Sequence, residues 1–587
     1  MGNPLIAELG RLKQSSKEAV ENLESFNQFK QYMHVERPFE RSLIHIMERI
    51  REQNRPHLVM VCGSVGDGKS HLISYLKNNY PDLFHNVTIH NDATESFSPT
   101  KTSIDTLRNI LNPFTDDNLS IDHNDMNHVV VAINLGTLNN FLHSEYGSEF
   151  LELQRYVEDK KILEEGVTSN GEESEERFEF VNLSDYHLYE LAKDGVQSGF
   201  LEALFEKITA KSPDNPFYEK YKLVCSQEAS LKDECPVVKN YELLMNRDVQ
   251  KSIVYLLAEL MIKYKMIVSP RMFLDFIYRI LVPDYIQDFT ISKVLDNKNK
   301  DEKRERYLKS LLPNLLFDLG KRSETFLPIE TLGSLAKRNQ LSDKWIISFF
   351  ITDDISSLTK DIVPESLLEQ LNLYDSVGGF DRKQEGRELI LKTLLRLRGI
   401  SGVAREDEQI TLFPKFLTYL YYWNTHNVKE LRSLYYDVIE AIYNWNGKTE
   451  TERINMFVGR NQLKYSISQK IVIKPHLEHK EVDLDDRLSR FLNYMVLKFK
   501  VEGSNQIYSI SIDFNLFELI VKMKNGYRPN SRDKNNFINF ANFADRMIKE
   551  NVKQDNVLIR EKVSQDSKQY ILTADEFGYE FKEKKND

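Results

Sequence analysis

The segment LVMVCGSVGDGKSHLISYL (58–76) constrains the fold more than any other part of the chain. LVMVC is an unbroken apolar run, the pattern of a strand buried on both faces of a parallel sheet. It runs into Gly63, and Gly63–Ser70 fits G-x-x-x-x-G-K-S. Glycines at 63, 66 and 68 let the backbone turn sharply and come close to a ligand. SHLISYLKNNY (70–80) then reads as a helix whose N-terminal dipole favours an anion. A strand, a glycine-rich turn and a helix in this order form a phosphate-binding loop. The candidate nucleotide-binding set is Gly63, Ser64, Gly66, Asp67, Gly68, Lys69, Ser70 and His71. Backbone N–H groups cradle the anion, Lys69 reaches the β- and γ-phosphates, and the Ser70 hydroxyl is the metal ligand. The predicted cofactors are ATP and Mg²⁺.

The surrounding sequence predicts an α/β core. VTIH (87–90), HVVVAINLG (128–136) and FEFVNLSDY (178–186) read as further strands, with TKTSIDTLRNIL (100–111) as a helix between them. Alternating strands and helices imply parallel βαβ units. The acidic stretch 164–177 reads as a flexible loop. From about 187 to 450 the texture is helical and shows no repeat of fixed period, which argues against a solenoid. The charged run 296–309 reads as a solvated helix start or loop. Beyond 451, segments such as MVLKFKV and QIYSISID alternate polar and apolar residues, so strands return, with one helix at 535–551. The predicted organisation is an N-terminal helical segment (1–33), a P-loop NTPase core (34–210), a helical lid (211–300), a helical domain (301–450), a C-terminal α+β domain (451–580) and a disordered tail (581–587).

Composition narrows the setting. A chain of 587 residues is expected to hold about three to five domains. It has no apolar run long enough to span a membrane, and its N-terminal residues lack the apolar stretch of a signal peptide. Three cysteines exclude a disulfide framework and point to a reducing, cytoplasmic setting. Cys225 and Cys235 have no His close by in sequence to complete a metal site. The net charge of −11 argues against a chain that grips DNA unaided. The part after 451 carries a small basic excess and is the likelier approach for an anion.

The acid that would hold Mg²⁺ and polarise water is ambiguous. The strand HVVVAI runs into Asn134, where such an acid would stand; an asparagine there suits a residue that orients the attacking water. Asp92 and Glu95, just after VTIH, are the alternative candidates. WIISFFITDD (345–354) has the local look of an acid-tipped strand but lies in the helical half, so it is read as a buried helix ended by solvated acids. Two features suit an AAA+ ATPase. VERPFERSLIHIMERI (35–50) resembles the helix that packs over adenine. Arg271, in the first turn of PRMFLDFIYRIL, resembles the lid arginine that reaches back to the γ-phosphate. The expected fold class is α/β, an AAA+-like P-loop NTPase with a large helical region and a C-terminal α+β domain. The candidate catalytic residues are Asp92, Glu95, Asn134 and Arg271.

Taken together, GSVGDGKSHLISYL, NVTIHNDATES, VVVAINLGTLNNFL, SPRMFLDFIYRIL and the GYRPN turn (526–530) with the helix after it resemble the DptF family of DNA phosphorothioation-dependent restriction proteins. The likeness spans residue 30 to about 550, and only the P-loop is a specific chemical motif. It implies the ATP-binding subunit of a three-component bacterial defence complex that attacks DNA lacking the sulfur mark. The implied partners are two other subunits, one of them a larger ATPase or helicase-like protein, and DNA through the complex. No membrane partner is implied, and a homo-oligomer, such as an AAA+-like ring, stays open. No metal-nuclease signature is present, so cleavage falls to a partner. The alternative function is a nucleotide-gated scaffold with little or no hydrolysis. A signalling switch of the STAND type would need a repeat sensor domain, and no repeat is visible.

Overall fold

The computed structural model describes residues 3–13, 27–91, 102–119, 127–163, 177–227, 235–286, 300–332, 340–352, 363, 367–368, 384–402, 412–447, 450, 452–456, 462, 464–477, 488, 490–550, 556–562, 568–575 and 578–584. The chain divides into two compact units. One comprises Met1–Glu190, Val196–Ile410 and Ser489–Phe491, and the other Leu191–Gly195, Thr411–Leu488 and Leu492–Asp587.

The first unit is built on helix α1 (Pro38–Arg51), strand β1 (Leu58–Cys62), helix α2 (Lys69–Asn79), strands β2 (Val87–His90) and β3 (His128–Ile133), helix α3 (Leu135–Leu142) and strand β4 (Phe178–Asn182). Its four strands form one parallel sheet in the order β2-β3-β1-β4. Leu58 lies opposite Val129 and Phe178, and Cys62 opposite Ile133 and Asn182. β1, β3 and β4 are buried throughout, which is why β1 and β3 read as nearly unbroken apolar runs, while the buried Glu179 of β4 is paired with Arg49. Leu58, Met60 and Cys62 pack with Val129, Val131 and Phe180 against Leu107, Phe141 and Tyr156 on one face. Val59, Val61, Val130 and Val181 pack on the other face against Leu43, Met47 and Ile50 of α1 and Leu72, Ile73 and Leu76 of α2. Since all strands run the same way, the loops after their C-terminal ends gather at one edge, the binding edge of such sheets.

A helical layer completes this unit. It includes Gly199–Thr209, Pro236–Leu244, Arg247–Tyr264, helix α4 (Pro270–Leu281), Leu312–Phe317 and Gln384–Ile400, which share an apolar core. Buried Asn240 ties it internally, donating to the carbonyls of Leu281 and Ser310 and accepting from the Leu312 N–H. Arg396 donates to both carboxylate oxygens of Asp318 and to Asn314 Oδ1, while Lys321 and Lys392 pair with the same aspartate. The WIISFF segment lies in a helix, Gln340–Ile351, that leaves Ile347 and Ile351 exposed rather than buried. Asp353 and Asp354 lie outside the described residues, as do 164–176 and 296–299; Lys300–Lys309 is a helix.

The second unit contains helices Leu412–Asn424 and Arg432–Asn444 and two antiparallel sheets. One sheet orders Gly578–Glu583, Gln569–Asp575, Asn556–Glu561, Tyr465–Lys470 and Arg453–Met456. The other orders Ile507–Ile512, Met495–Val501 and Ile473–Pro475. Met495, Leu497, Phe499 and Val501 alternate into the core, as the period-two pattern predicts. After the GYRPN turn, Asn530 caps Ser531–Asn536, and Asp533 returns a bond to the Asn530 N–H. The last strand carries pairing into the segment read as a tail, with Phe581 opposite Leu572 and Glu583 opposite Tyr570. The neighbouring strand's free edge captures these residues; only 585–587 lie outside the described residues. Among the described residues no helix is long and apolar enough to cross a membrane.

Candidate nucleotide-binding site

β1 brings the Gly63–Gly68 loop to the C-terminal edge of the sheet, and α2 begins at Lys69 directly after it. Gly66 and Gly68 have φ of +87° and +96°, the left-handed region that side chains rarely adopt. At Gly66 space adds a second demand: a Cβ there would stand 2.7 Å from Ser269 Oγ and 3.5 Å from Arg271 Cβ. The start of α4 therefore rests on this glycine. Gly66→Ala is expected to displace α4 from the loop and to destabilise the unit by about 1–3 kcal/mol, read by urea denaturation. An unchanged midpoint would mean that the contact is slack.

The loop is braced from β4. Asp67 Oδ2 accepts from the Ser64 N–H at 2.6 Å and from the Ser184 hydroxyl at 2.8 Å. The Ser64 N–H also lies 3.0 Å from Ser184 Oγ. Lys69 Nζ folds back over the loop, donating to Gly63 O at 2.9 Å and Ser64 O at 2.8 Å. The first N–H groups of α2 have no acceptor inside their helix, and Gly68 offers no capping side chain. An ammonium and these donors at one spot suit a polyphosphate.

Ser70 Oγ donates to the carbonyl of Asn91 at 3.3 Å, so the end of β2 meets the serine expected to hold the metal. Asn91 Oδ1 is buried with no hydrogen-bond partner among the described residues. A serine hydroxyl and an amide oxygen on these adjoining elements are ligand types that fit a hydrated Mg²⁺. Asp92 and Glu95 lie outside the described residues. Asn134 stands at the tip of β3, next to β1, but its Oδ1 accepts from the Thr137 N–H at 2.7 Å and caps α3. At the tip of β4, Asp185 is held by Asn182 Nδ2 at 2.6 Å and by Arg490 at 3.3 Å.

Beside the loop an open cavity is lined by Gly66, Asp67, Gly68 and His71 and by Arg271 of α4. The structure thus brings Arg271, distant in sequence, beside the Gly63–Gly68 loop. The cavity's apolar wall comes from Met33, Val35, Phe39, Leu72, Phe200 and Leu274, a surface suited to a purine ring. Val35 and Phe39 belong to the stretch read as the adenine-covering helix; Val35 precedes α1, which starts at Pro38. Arg11 and Lys13, near the start of the chain, also line it.

His71 Nε2 lies 3.1 Å from His34 Nδ1, and the His34 ring stacks on Tyr75. Burial, helped by the nearby His34 and Lys30, pushes the His71 pKa down to about 3, so this imidazole is neutral at physiological pH. Burial pushes the Cys62 thiol up to about 12, which removes it as a nucleophile. Among the described residues no three His, Cys, Asp or Glu side chains form a metal-binding group.

Sequence reading missed three participants. Ser184 was read as part of the strand 178–186, which ends at Asn182, although a hydroxyl at the tip of the strand beside β1 is a signal worth weighing. Arg37 lay within the stretch 35–50 and was given no role of its own. Arg490, 305 residues from Asp185, left no local trace. Compared with known proteins, the chain matches no family model and no curated protein.

Proposed function

We propose that the chain binds ATP and Mg²⁺ between the Gly63–Ser70 loop and α4, and hydrolyses the nucleotide as the ATPase subunit of a cytoplasmic multi-component restriction complex that acts on DNA lacking phosphorothioate. The observation that carries the nucleotide part is the joining of a buried parallel strand, a left-handed glycine loop and a helix start beside one apolar cavity. The restriction part rests on the sequence resemblance. ATP would supply the phosphoanhydride bond. Lys69 would exchange the carbonyls of Gly63 and Ser64 for phosphate oxygens. Ser70 would exchange the Asn91 carbonyl for the metal. Arg271 would meet the phosphates from the α4 side, so that binding draws the helical layer onto the sheet.

A specific observation favours the second reading, a nucleotide-gated scaffold. Asn134 is committed to capping α3, and Asp185 is tied to Asn182 and Arg490. Neither strand tip beside β1 offers a disengaged acid. Phosphate release decides between the two. It is measured for the chain alone, with its partner subunits, and with modified or unmodified DNA, for the wild type and Asp92→Ala, Glu95→Ala and Asn134→Ala. The ATPase reading expects turnover that at least one substitution removes while ATP still binds. Absence of turnover under every condition leaves the scaffold.

A further inference from the structure

Buried charges in folded proteins are paired, because an isolated ion loses its hydration without recompense. This unit follows the rule at Arg396 with Asp318 and at Arg490 with Asp185. Arg37 departs from it. It is 8% exposed, and no carboxylate lies within ion-pairing distance of it among the described residues. Its guanidinium donates to the Tyr186 carbonyl at 3.1 Å and lies 4.5 Å from the Phe39 ring centroid and 4.9 Å from that of Phe200. A guanidinium has five N–H donors, so this carbonyl leaves most of its capacity unused. Burial lowers its pKa to about 10, partly offset by the charge of Asp67, and it stays cationic at neutral pH. It lines the cavity that Gly66, Asp67, Gly68 and Arg271 also line.

We propose that Arg37 is a phosphate-binding residue of the nucleotide site, a cation whose counter-charge is supplied by the ligand rather than by the fold. The inference rests on the nucleotide reading above. Polyphosphate is the part of a nucleotide that carries negative charge, whereas the base is neutral. The acid that acts on Arg37 is Asp67, a residue of the phosphate loop itself. Phe39 and Phe200 pack against the guanidinium, so less side-chain freedom is lost when the ligand enters.

Melting temperature and affinity test this with Mg-ATP and with adenosine, for the wild type, Lys69→Ala, Arg37→Met and Arg37→Lys. Methionine keeps much of the stem volume and removes the charge. Without nucleotide, Arg37→Met is expected to melt no lower than the wild type, since an unpaired buried charge has been removed. Its ATP affinity is expected to fall about tenfold or more, with adenosine affinity unchanged and partial recovery in Arg37→Lys. If Arg37→Met does not fold, Arg37→Gln takes its place in the same comparison. If the wild type binds ATP, Lys69→Ala does not, and the neutral Arg37 variant stays within about twofold of the wild type, the Arg37 assignment fails alone. Equal losses for ATP and adenosine would overturn it too, because the residue would then serve the base. If the wild type binds no nucleotide, the nucleotide reading fails and takes this assignment with it.

Discussion

Lys69→Ala should weaken ATP binding by roughly 100- to 10,000-fold in calorimetric titration. The ammonium is expected to trade its two carbonyl contacts, to Gly63 and Ser64, for phosphate oxygens. Hydrogen bonds to charged groups contribute about 1.5–3 kcal/mol each, and 1.4 kcal/mol is tenfold in affinity, so the loss of two sets the scale. Fold stability should change little, because the partners given up are loop carbonyls at a solvent-accessible edge. Lys69→Arg should restore only part of the affinity, because a planar fork does not reproduce a compact point charge. A loss of under about tenfold in Lys69→Ala, with the fold intact, would falsify the phosphate role of this loop.

The second large effect concerns stability. Asp318→Asn should destabilise the first unit by about 3 kcal/mol in equilibrium unfolding. The substitution strips the charge from the carboxylate that Arg396 grips with two nitrogens, and leaves that arginine, with its side chain 10% exposed, without its anion. Burial alone would raise the Asp318 pKa. The hydrogen bonds and charge of Arg396, with Lys321 and Lys392, outweigh burial and hold the carboxyl well below the usual carboxylate range. A depressed folded-state pKa stabilises fully above the unfolded value near about 4 and is lost as pH falls toward the folded value. Wild-type stability should therefore decline below about pH 4 with a contribution from this site that Asp318→Asn lacks. Parallel pH profiles for the two proteins would assign the acid sensitivity elsewhere.

The parts of the structure legible in the sequence are those in which neighbours along the chain are neighbours in space. The LVMVC run, the glycine loop and the helix from Lys69 are a local unit, and each states its own conformation. The same holds for the alternation of MVLKFKV and for Asn530 as a helix cap. The parallel sheet followed from largely apolar strands separated by helices, although no local signal encodes the order β2-β3-β1-β4. Besides the contiguous loop, the sequence pointed to Arg271 and to the 35–50 stretch, and both line the cavity, but the braces between distant residues were not readable. The Asp67–Ser184 brace closes over 117 positions, and the Asp185–Arg490 pair over 305. A lone serine or arginine carries no mark of such a partner. Asn134 shows the opposite difficulty. Its position beside β1 suits a catalytic asparagine, yet an asparagine before a helix is also the ordinary helix cap, and its side chain makes that bond. The burial of Arg37 without a carboxylate could be found only in three dimensions, since the sequence Arg-Pro announces a helix start and nothing of the cavity beside it.

The brace from β4 has a consequence for the order in which the protein matures. Gly63–Ser70 is synthesised before its brace: the hydroxyl that steadies Asp67 comes from Ser184, which must first leave the ribosome and be carried in by the pairing of β4 with β1. Closing so long a loop is slow, because its entropy is lost before the contact forms. A nascent chain ending before Phe178 would hold the complete phosphate-loop motif in an unsteadied form. The loop would then gain its brace only when β4 pairs with β1, so its steadied form would depend on the closure of the sheet rather than on the motif alone.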